Sequence, residues 1–300
     1  MAANSNKYMS NSLWKERKYM EYITLNNGVK MPVLGYGVYQ IEDLKECERC
    51  VLDAIEVGYR SIDTAQTYGN EEAVGRAIKK CNLPREELFI TTKVWISNAG
   101  YEKAKTSIEE SLKKLQLKYL DLVLIHEPFN DYYGTYRAME KMYKSGKIRA
   151  IGVSNFYPDR LIDLIKFNEV VPAINQVETH PFNQQIKAKE IMDKYGVQIE
   201  SWAPLAEGRN NIFTNETLKK VGDKYNKSIA QVSLKYLIQR GFIVIPKSVH
   251  KERMIQNFNI FDFKLDEDDM NKIVKLDKAE SAFFSHCDPD VVEFFAALDE

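Results

Sequence analysis

Cysteine is scarce in this 300-residue chain: Cys47, Cys50, Cys81 and Cys287 are all it has. So few thiols exclude a disulfide scaffold, fit a reducing compartment and leave stability to a packed core. Long apolar runs are also missing. Stretches such as GFIVIP at 241–246 fall far short of a bilayer span, and the N-terminus has no continuous apolar signal-peptide region. Nor is there an excess of charge of one sign, since 42 basic against 43 acidic residues give a formal net charge of −1. No broad field then draws the chain to nucleic acid or to an anionic membrane. With 44% hydrophobic and 28% charged residues, a globular cytoplasmic protein with a large core is the expectation.

Cys47 and Cys50 form a CxxC, which elsewhere can mark a redox pair or half a zinc site. Here they lie in LKECERCVLDAIEVG, where Leu44, Cys47, Val51, Ala54 and Ile55 recur at helical spacing, and no second CxxC or HxxxH completes a ligand set. Buried helix cysteines and no bound metal are expected. Residues 1–19 are polar and without period, and read as a loose or appended N-terminal extension, with Met20 able to serve as a natural start. Residues 20–300 are expected to form one domain, opening with a hairpin: EYITLNNGVKMPVL alternates around Asn27-Gly28, a strong turn signal.

From there the chain repeats a β-rich run, a loop and an amphipathic helix, with no Pro/Gly-rich linker. Strands are expected at 34–39, 59–63, 88–94, 120–126, 148–154, 172–178, 197–203 and 242–247. Between them, Asn70 reads as the N-cap of a helix with the stripe Ala73, Ala77 and Cys81, and Ala104, Ile108, Leu112 and Leu115 line the next. Gly146 should end the helix of Tyr136, Met139 and Tyr143, and Ser228 should begin the helix carrying Val232 and Leu234. Eight strand-helix units suit a (β/α)8 TIM barrel better than an open doubly wound sheet. The open sheet would want a GxGxxG after its first strand, and GYGVYQ at 35–40 lacks the third glycine.

In such a barrel, chemistry gathers at the C-terminal strand ends. Asp63, Lys93, His126, Ser154-Asn155, Gln176 with Glu178, Trp202 and Lys247-Ser248 fall there in turn, and Tyr68 lies on the loop after Asp63. Taken singly, each reads as an ordinary polar rim residue. In LVLIHEPFND, His126 and Glu127 could be metal ligands, an acid/base pair or only the end of a strand. Asp, Lys and His on three consecutive strand ends are harder to dismiss, because a lysine and an aspartate are supported in burial as a pair. The Lys93 ammonium is expected to favour the Tyr68 phenolate and lower its pKa from roughly 10, making Tyr68 a proton donor. Asp63 would hold Lys93, and His126 would donate a hydrogen bond to a substrate oxygen, so that the set polarises a carbonyl.

These residues resemble those of the aldo-keto reductases. IDTAQTYGNE at 62–71, LQLKYLDLVLIHEP at 115–128 and IPKSVHKERMIQN at 245–257 match three long motifs of that family in the same order, GVSNF at 152–156 agrees with it, and the likeness covers roughly 20–298. The resemblance implies NADPH-dependent carbonyl reduction on a (β/α)8 barrel without a Rossmann domain. It implies a catalytic set of Asp63, Tyr68, Lys93 and His126. For NADPH/NADP+ it implies contacts from Gly37, Val38, Asp63, Ser154, Asn155 and Gln176, a ring stack on Trp202 where many relatives have tyrosine, and Pro204 and Leu205 beyond it. Lys247, Ser248, Val249 and Arg253 fall where relatives hold the 2′-phosphate, with Gln256 in place of a common glutamate and Asn257 toward adenine; two cations and a hydroxyl suit a dianion.

Substrate residues implied are Tyr39, Trp95, His126 and Glu127, with Phe129 and the aromatic tail AFFSHCDPDVVEFF at 282–295 at the rim. Glu127 replaces the frequent tryptophan of His-Trp-Pro; it either faces solvent or, turned inward, repels substrate carboxylates and favours neutral carbonyls. The expected partner is a small carbonyl compound, not nucleic acid or membrane, and the expected state a monomer or weak homo-oligomer. Three rival readings are a glycoside hydrolase using Glu127 and Glu200, a Schiff-base aldolase using Lys93, and a regulatory barrel that binds NADP without turnover.

Overall fold

The computed structural model describes residues 20–298; the extension assigned to 1–19 lies outside them. The first element is a hairpin of β1 (Tyr22–Thr24) and β2 (Lys30–Pro32), antiparallel and turning at Gly28 with φ +85°, a backbone state that glycine enters without strain. Its apolar residues Leu25 and Met31 pack with Phe89, Leu122, Leu124, Ala150, Ile174 and Ile243. The hairpin therefore plugs the N-terminal end of the main sheet.

That sheet has eight parallel strands, each hydrogen-bonded to its neighbour in sequence: β3 (Tyr36–Gly37), β4 (Ser61–Asp63), β5 (Phe89–Val94), β6 (Leu120–Ile125), β7 (Ile148–Ser154), β8 (Ile174–Glu178), β9 (Gln198–Trp202) and β10 (Ile243–Val244). A parallel bridge from Leu34 to Val244, with the Gly35 amide donating to the Val244 carbonyl at 2.8 Å, brings β10 back to β3. The expected (β/α)8 barrel is thus the observed fold. The first and last expected strands shrink to two residues each at this closing seam, where the chain bonds across the bridge rather than along a long ladder.

Helices α1 (Leu44–Val57), α2 (Glu71–Lys80), α3 (Tyr101–Lys114), α4 (Tyr132–Lys144), α5 (Pro158–Phe167) and α6 (Ile186–Tyr195) connect the strands up to β9. Their inward stripes and the outer faces of the strands make the main core, where each fully buried leucine or isoleucine contributes about 2 kcal/mol of transfer free energy. Cys47 and Cys50 are buried members of α1, as expected. After β9 come α7 (Glu216–Tyr225) and α8 (Ile229–Gln239), the latter begun by a Ser228–Gln231 capping box. After β10 follow α9 (Lys251–Phe258), α10 (Glu267–Val274) and α11 (Pro289–Ala297).

Asn70 holds the N-cap position of α2, as expected, but its side chain makes no capping bond. Its side chain is buried, accepts from the Thr64 hydroxyl at 2.7 Å and donates to the Val38 and Ile41 carbonyls at 3.0 and 3.3 Å. Those distant partners satisfy the amide better than the α2 terminus would, and they pin the loops around Asp63 and Tyr68. Gly152 on β7 is fixed by space: a Cβ there would lie 2.6 Å from the Ile174 carbonyl oxygen. Among the described residues, no helix is long and apolar enough to cross a membrane.

Candidate active site

The C-terminal strand ends converge as expected. Lys93, at the end of β5 and fully buried, donates to Asp63 Oδ1 at 2.5 Å, to the Thr64 carbonyl at 3.0 Å and to the Tyr68 hydroxyl at 3.3 Å. Burial alone would lower the lysine pKa, but the Asp63 charge outweighs it and the value ends above that of a free lysine. A lysine held so firmly as an ammonium is a poor amine nucleophile, which removes the Schiff-base reading.

Tyr68 departs from the expectation. Burial raises its pKa and outweighs the lowering by Lys93, leaving it at about 12. The phenol therefore keeps its proton across the neutral range, with its hydroxyl aimed by Lys93. His126 meets the Tyr68 ring edge-on at 5.5 Å and the Trp95 ring at 5.2 Å. Burial, then the Lys93 charge, push the His126 pKa well below that of a free histidine, so the imidazole is neutral and keeps one N–H. Its Nδ1 is buried and has no partner among the described residues.

Gln176 ties this set to the barrel interior by donating from Nε2 to Asp63 Oδ2 at 2.9 Å and to Glu200 Oε2 at 2.8 Å. Glu200 is fully enclosed on β9, and burial together with the Asp63 charge raises its pKa. One lysine faces two carboxylates here, so protonating Glu200 balances the interior. Glu200 offers no face to a cleft, and the hydrolase pair is not formed.

Ser154 and Asn155 stand at the end of β7 beside Gln176. The Ser154 hydroxyl donates to the Gln176 carbonyl at 2.9 Å, and Asn155, at φ +62°, accepts from Trp202 Nε1 at 2.8 Å. Val38 donates its amide to the Asp63 carbonyl at 3.1 Å, and a Cβ on Gly37 would lie 3.1 Å from the Ile245 carbonyl, a tight contact that glycine avoids. Pro204 is buried and Leu205 half-buried in the turn after Trp202.

Lys247, Arg253 and Gln256 are exposed around the start of α9, while Ser248 and Asn257 are buried beside them. Neither Lys247 nor Arg253 is engaged in an ion pair with another described residue. These two cations and the amides of a helix start make this a basic edge. Val249 is half-buried, its carbonyl taken by Arg49 at 3.0 Å.

Over the Tyr68 hydroxyl the walls are aromatic. Tyr39 lies 5.0 Å from Tyr68, and Phe295 of α11 packs on Trp95 at 5.9 Å and on Phe129 at 5.5 Å. The tail thus covers this face, as expected, but as a helix that the aromatic content had not suggested; Asp288 before Pro289 was its unused start signal. Glu127 does not face solvent. It is buried, and its Oε2 accepts from His286 Nε2 at 2.8 Å and from Asn155 Nδ2 at 3.2 Å. It and His126 therefore do not converge as ligands; among the described residues the carboxylates grouped closely enough for a metal are Asp266, Asp268 and Asp269 at the start of α10, which pair with Lys224 and Lys272.

An Asp63–Lys93–Tyr68 chain of contacts, with His126 beside it, thus stands at the C-terminal end of the (β/α)8 barrel. The sequence model of the Aldo/keto reductase family matches residues 33–278. The chain is 49% identical over 259 residues to glyoxal reductase of Bacillus subtilis, covering 86% of this chain and 93% of that protein. It is 42% identical over 261 residues to methylglyoxal reductase of Escherichia coli, covering 86% and 94%. The solved Bombyx mori aldo-keto reductase in complex with NADP superposes with a TM-score of 0.83 at 34% identity, covering 88% of this chain and 95% of that one. The chain belongs to the aldo/keto reductase family.

Proposed function

We propose that this protein reduces small neutral aldehydes and ketones, α-oxo aldehydes such as glyoxal and methylglyoxal among them, using NADPH. The observation that carries the reading is the Lys93 ammonium, shared between Asp63 and the Tyr68 hydroxyl beside the rings of Tyr39, His126 and Trp95. The likeness to glyoxal and methylglyoxal reductases supports the substrate class.

NADPH fits the residues present. Lys247 and Arg253, which form no ion pair with another described residue, stand beside the Ser248 hydroxyl, a set suited to a dianionic 2′-phosphate. Trp202 offers a ring for the nicotinamide, and the Asn155 Oδ1 and Gln176 Oε1 atoms can accept from its carboxamide. When bound, the cofactor supplies a hydride. The chain's own residues supply the rest: the neutral His126 N–H orients the carbonyl oxygen, and Tyr68 donates its proton to that oxygen as negative charge develops. A phenol with a pKa near 12 is still far more acidic than an alkoxide's conjugate alcohol, so the transfer runs downhill. Lys93 stabilises the phenolate left behind, and Asp63 keeps Lys93 charged and in place.

Glu127 does not present a free carboxylate to the pocket, so like-charge repulsion is not what would select neutral substrates. The aromatic walls do that, because a charged carboxylate loses its hydration against their rings at a cost that a neutral carbonyl compound does not bear. NADPH consumption with glyoxal, methylglyoxal, neutral ketones and keto acids tests the reading. Steady turnover with the neutral set is expected, and a chain that turns over only keto acids, or binds NADPH and turns over nothing, contradicts it.

A further inference from the structure

The Glu127–His286 contact joins residues 159 apart in sequence and continues in both directions. Toward the barrel, Glu127 Oε2 accepts from Asn155 Nδ2, and Asn155 Oδ1 accepts from Trp202 Nε1 at 2.8 Å. Toward the surface, the His286 ring is almost fully buried among the rings of Phe129, Phe284, Phe295 and Tyr157, at centroid distances of 6.0, 4.9, 6.5 and 6.0 Å. The same tail returns to the far end of this chain of bonds, since Phe283 lies 5.1 Å from Trp202. It is anchored on the way by the Ala282 amide donating to Glu178 at 2.7 Å and by Arg209 donating to the Ala282 carbonyl at 3.0 Å.

We infer that Glu127 and His286 are positioning residues: the tail delivers His286 to Glu127, Glu127 orients the Asn155 amide, and Asn155 sets the Trp202 ring, so that docking the tail and shaping the nicotinamide site are one event. The inference rests on the reading that Asn155 and Trp202 face the nicotinamide. Its physical basis is the fixed direction of each bond. A carboxylate only accepts, so it takes both the imidazole N–H and the Asn155 NH2, and this leaves Asn155 Oδ1 turned toward Trp202. Without Glu127 the Asn155 NH2 keeps only its longer bond to the His126 carbonyl, at 3.4 Å, and the amide is held less firmly. Neither residue touches the reacting atoms, so the effect falls on cofactor affinity more than on the chemical step.

The test measures NADPH affinity by tryptophan quenching, together with kcat, in wild type, Glu127→Ala, His286→Ala and the double variant. Each single variant is expected to weaken NADPH by about tenfold, the scale of one buried hydrogen bond to a charged group lost. The double variant should be no weaker than either single one, because the two act in series. Glu127→Gln keeps one oxygen that can accept from both Asn155 Nδ2 and His286 Nε2, as Oε2 does, and should restore affinity to within about twofold. Linkage adds a readout on the unaltered protein: NADPH should slow proteolysis or amide exchange of residues 281–298. Folded variants with wild-type affinity, additive losses in the double variant, or a tail indifferent to NADPH each overturn the inference. Failure of the unaltered protein to bind NADPH overturns the functional reading as well, which separates the two.

Discussion

Lys93 Nζ stands 2.5 Å from Asp63 Oδ1 with essentially no solvent reaching either side chain. Two opposite charges held this deep are stable only together, because removing one strands the other in a medium that solvates it poorly. Asp63→Asn is therefore expected to cost about 3 kcal/mol of stability, and Lys93→Met in the same background to recover part of that loss. Chemical denaturation of the two single variants and the double variant checks it. A double variant as unstable as the sum of the singles would mean that the pair is not coupled.

Glu200 links the same cluster to pH. Its folded-state pKa lies above the ordinary carboxylate range, so the folded protein holds this proton more tightly than the unfolded chain. The contribution is fully present below the ordinary carboxylate value and is lost as pH rises from there through the raised value. Thermal unfolding midpoints followed from about pH 5 to about pH 9 should therefore fall, and Glu200→Gln should flatten the decline. Equal slopes in the two proteins would assign the proton elsewhere.

The basic edge at α9 yields a prediction about cofactor choice. Lys247→Ala and Arg253→Ala should each weaken NADPH by about tenfold or more while changing NADH little, since only the former carries the 2′-phosphate. Added salt should weaken NADPH binding less in the variants than in the parent protein. Fluorescence titration with both cofactors measures this, and parallel losses for NADPH and NADH would show that these side chains do not read the phosphate.

Much of this architecture is written locally. The strands with central partners, such as 120–125 and 148–154, lie close to where their apolar runs suggest, and the Ser228–Gln231 box announces its helix. The strand ends Asp63, Lys93 and His126 follow from the barrel, because its geometry puts those positions on one face. What eluded the sequence depends on long-range partners. Asn70 takes the N-cap position the sequence suggests, yet its side chain goes to Val38, Ile41 and Thr64 instead of the helix start. Tyr68 has a lysine beside it, but the depth of burial that reverses the direction of its pKa is a property of the closed barrel. His286, unlike His126, has no local motif around it, and its meaning appears only when the tail brings it to Glu127.

The central claim is that the Tyr68 hydroxyl, aimed by Lys93, is the proton donor in carbonyl reduction. Tyr68→Phe removes that oxygen and little else, and a single preparation can be assayed for NADPH binding and for NADPH consumption with methylglyoxal. The account predicts NADPH affinity within about twofold of the parent protein and turnover reduced by about a hundredfold or more. Near-normal turnover in Tyr68→Phe would contradict it.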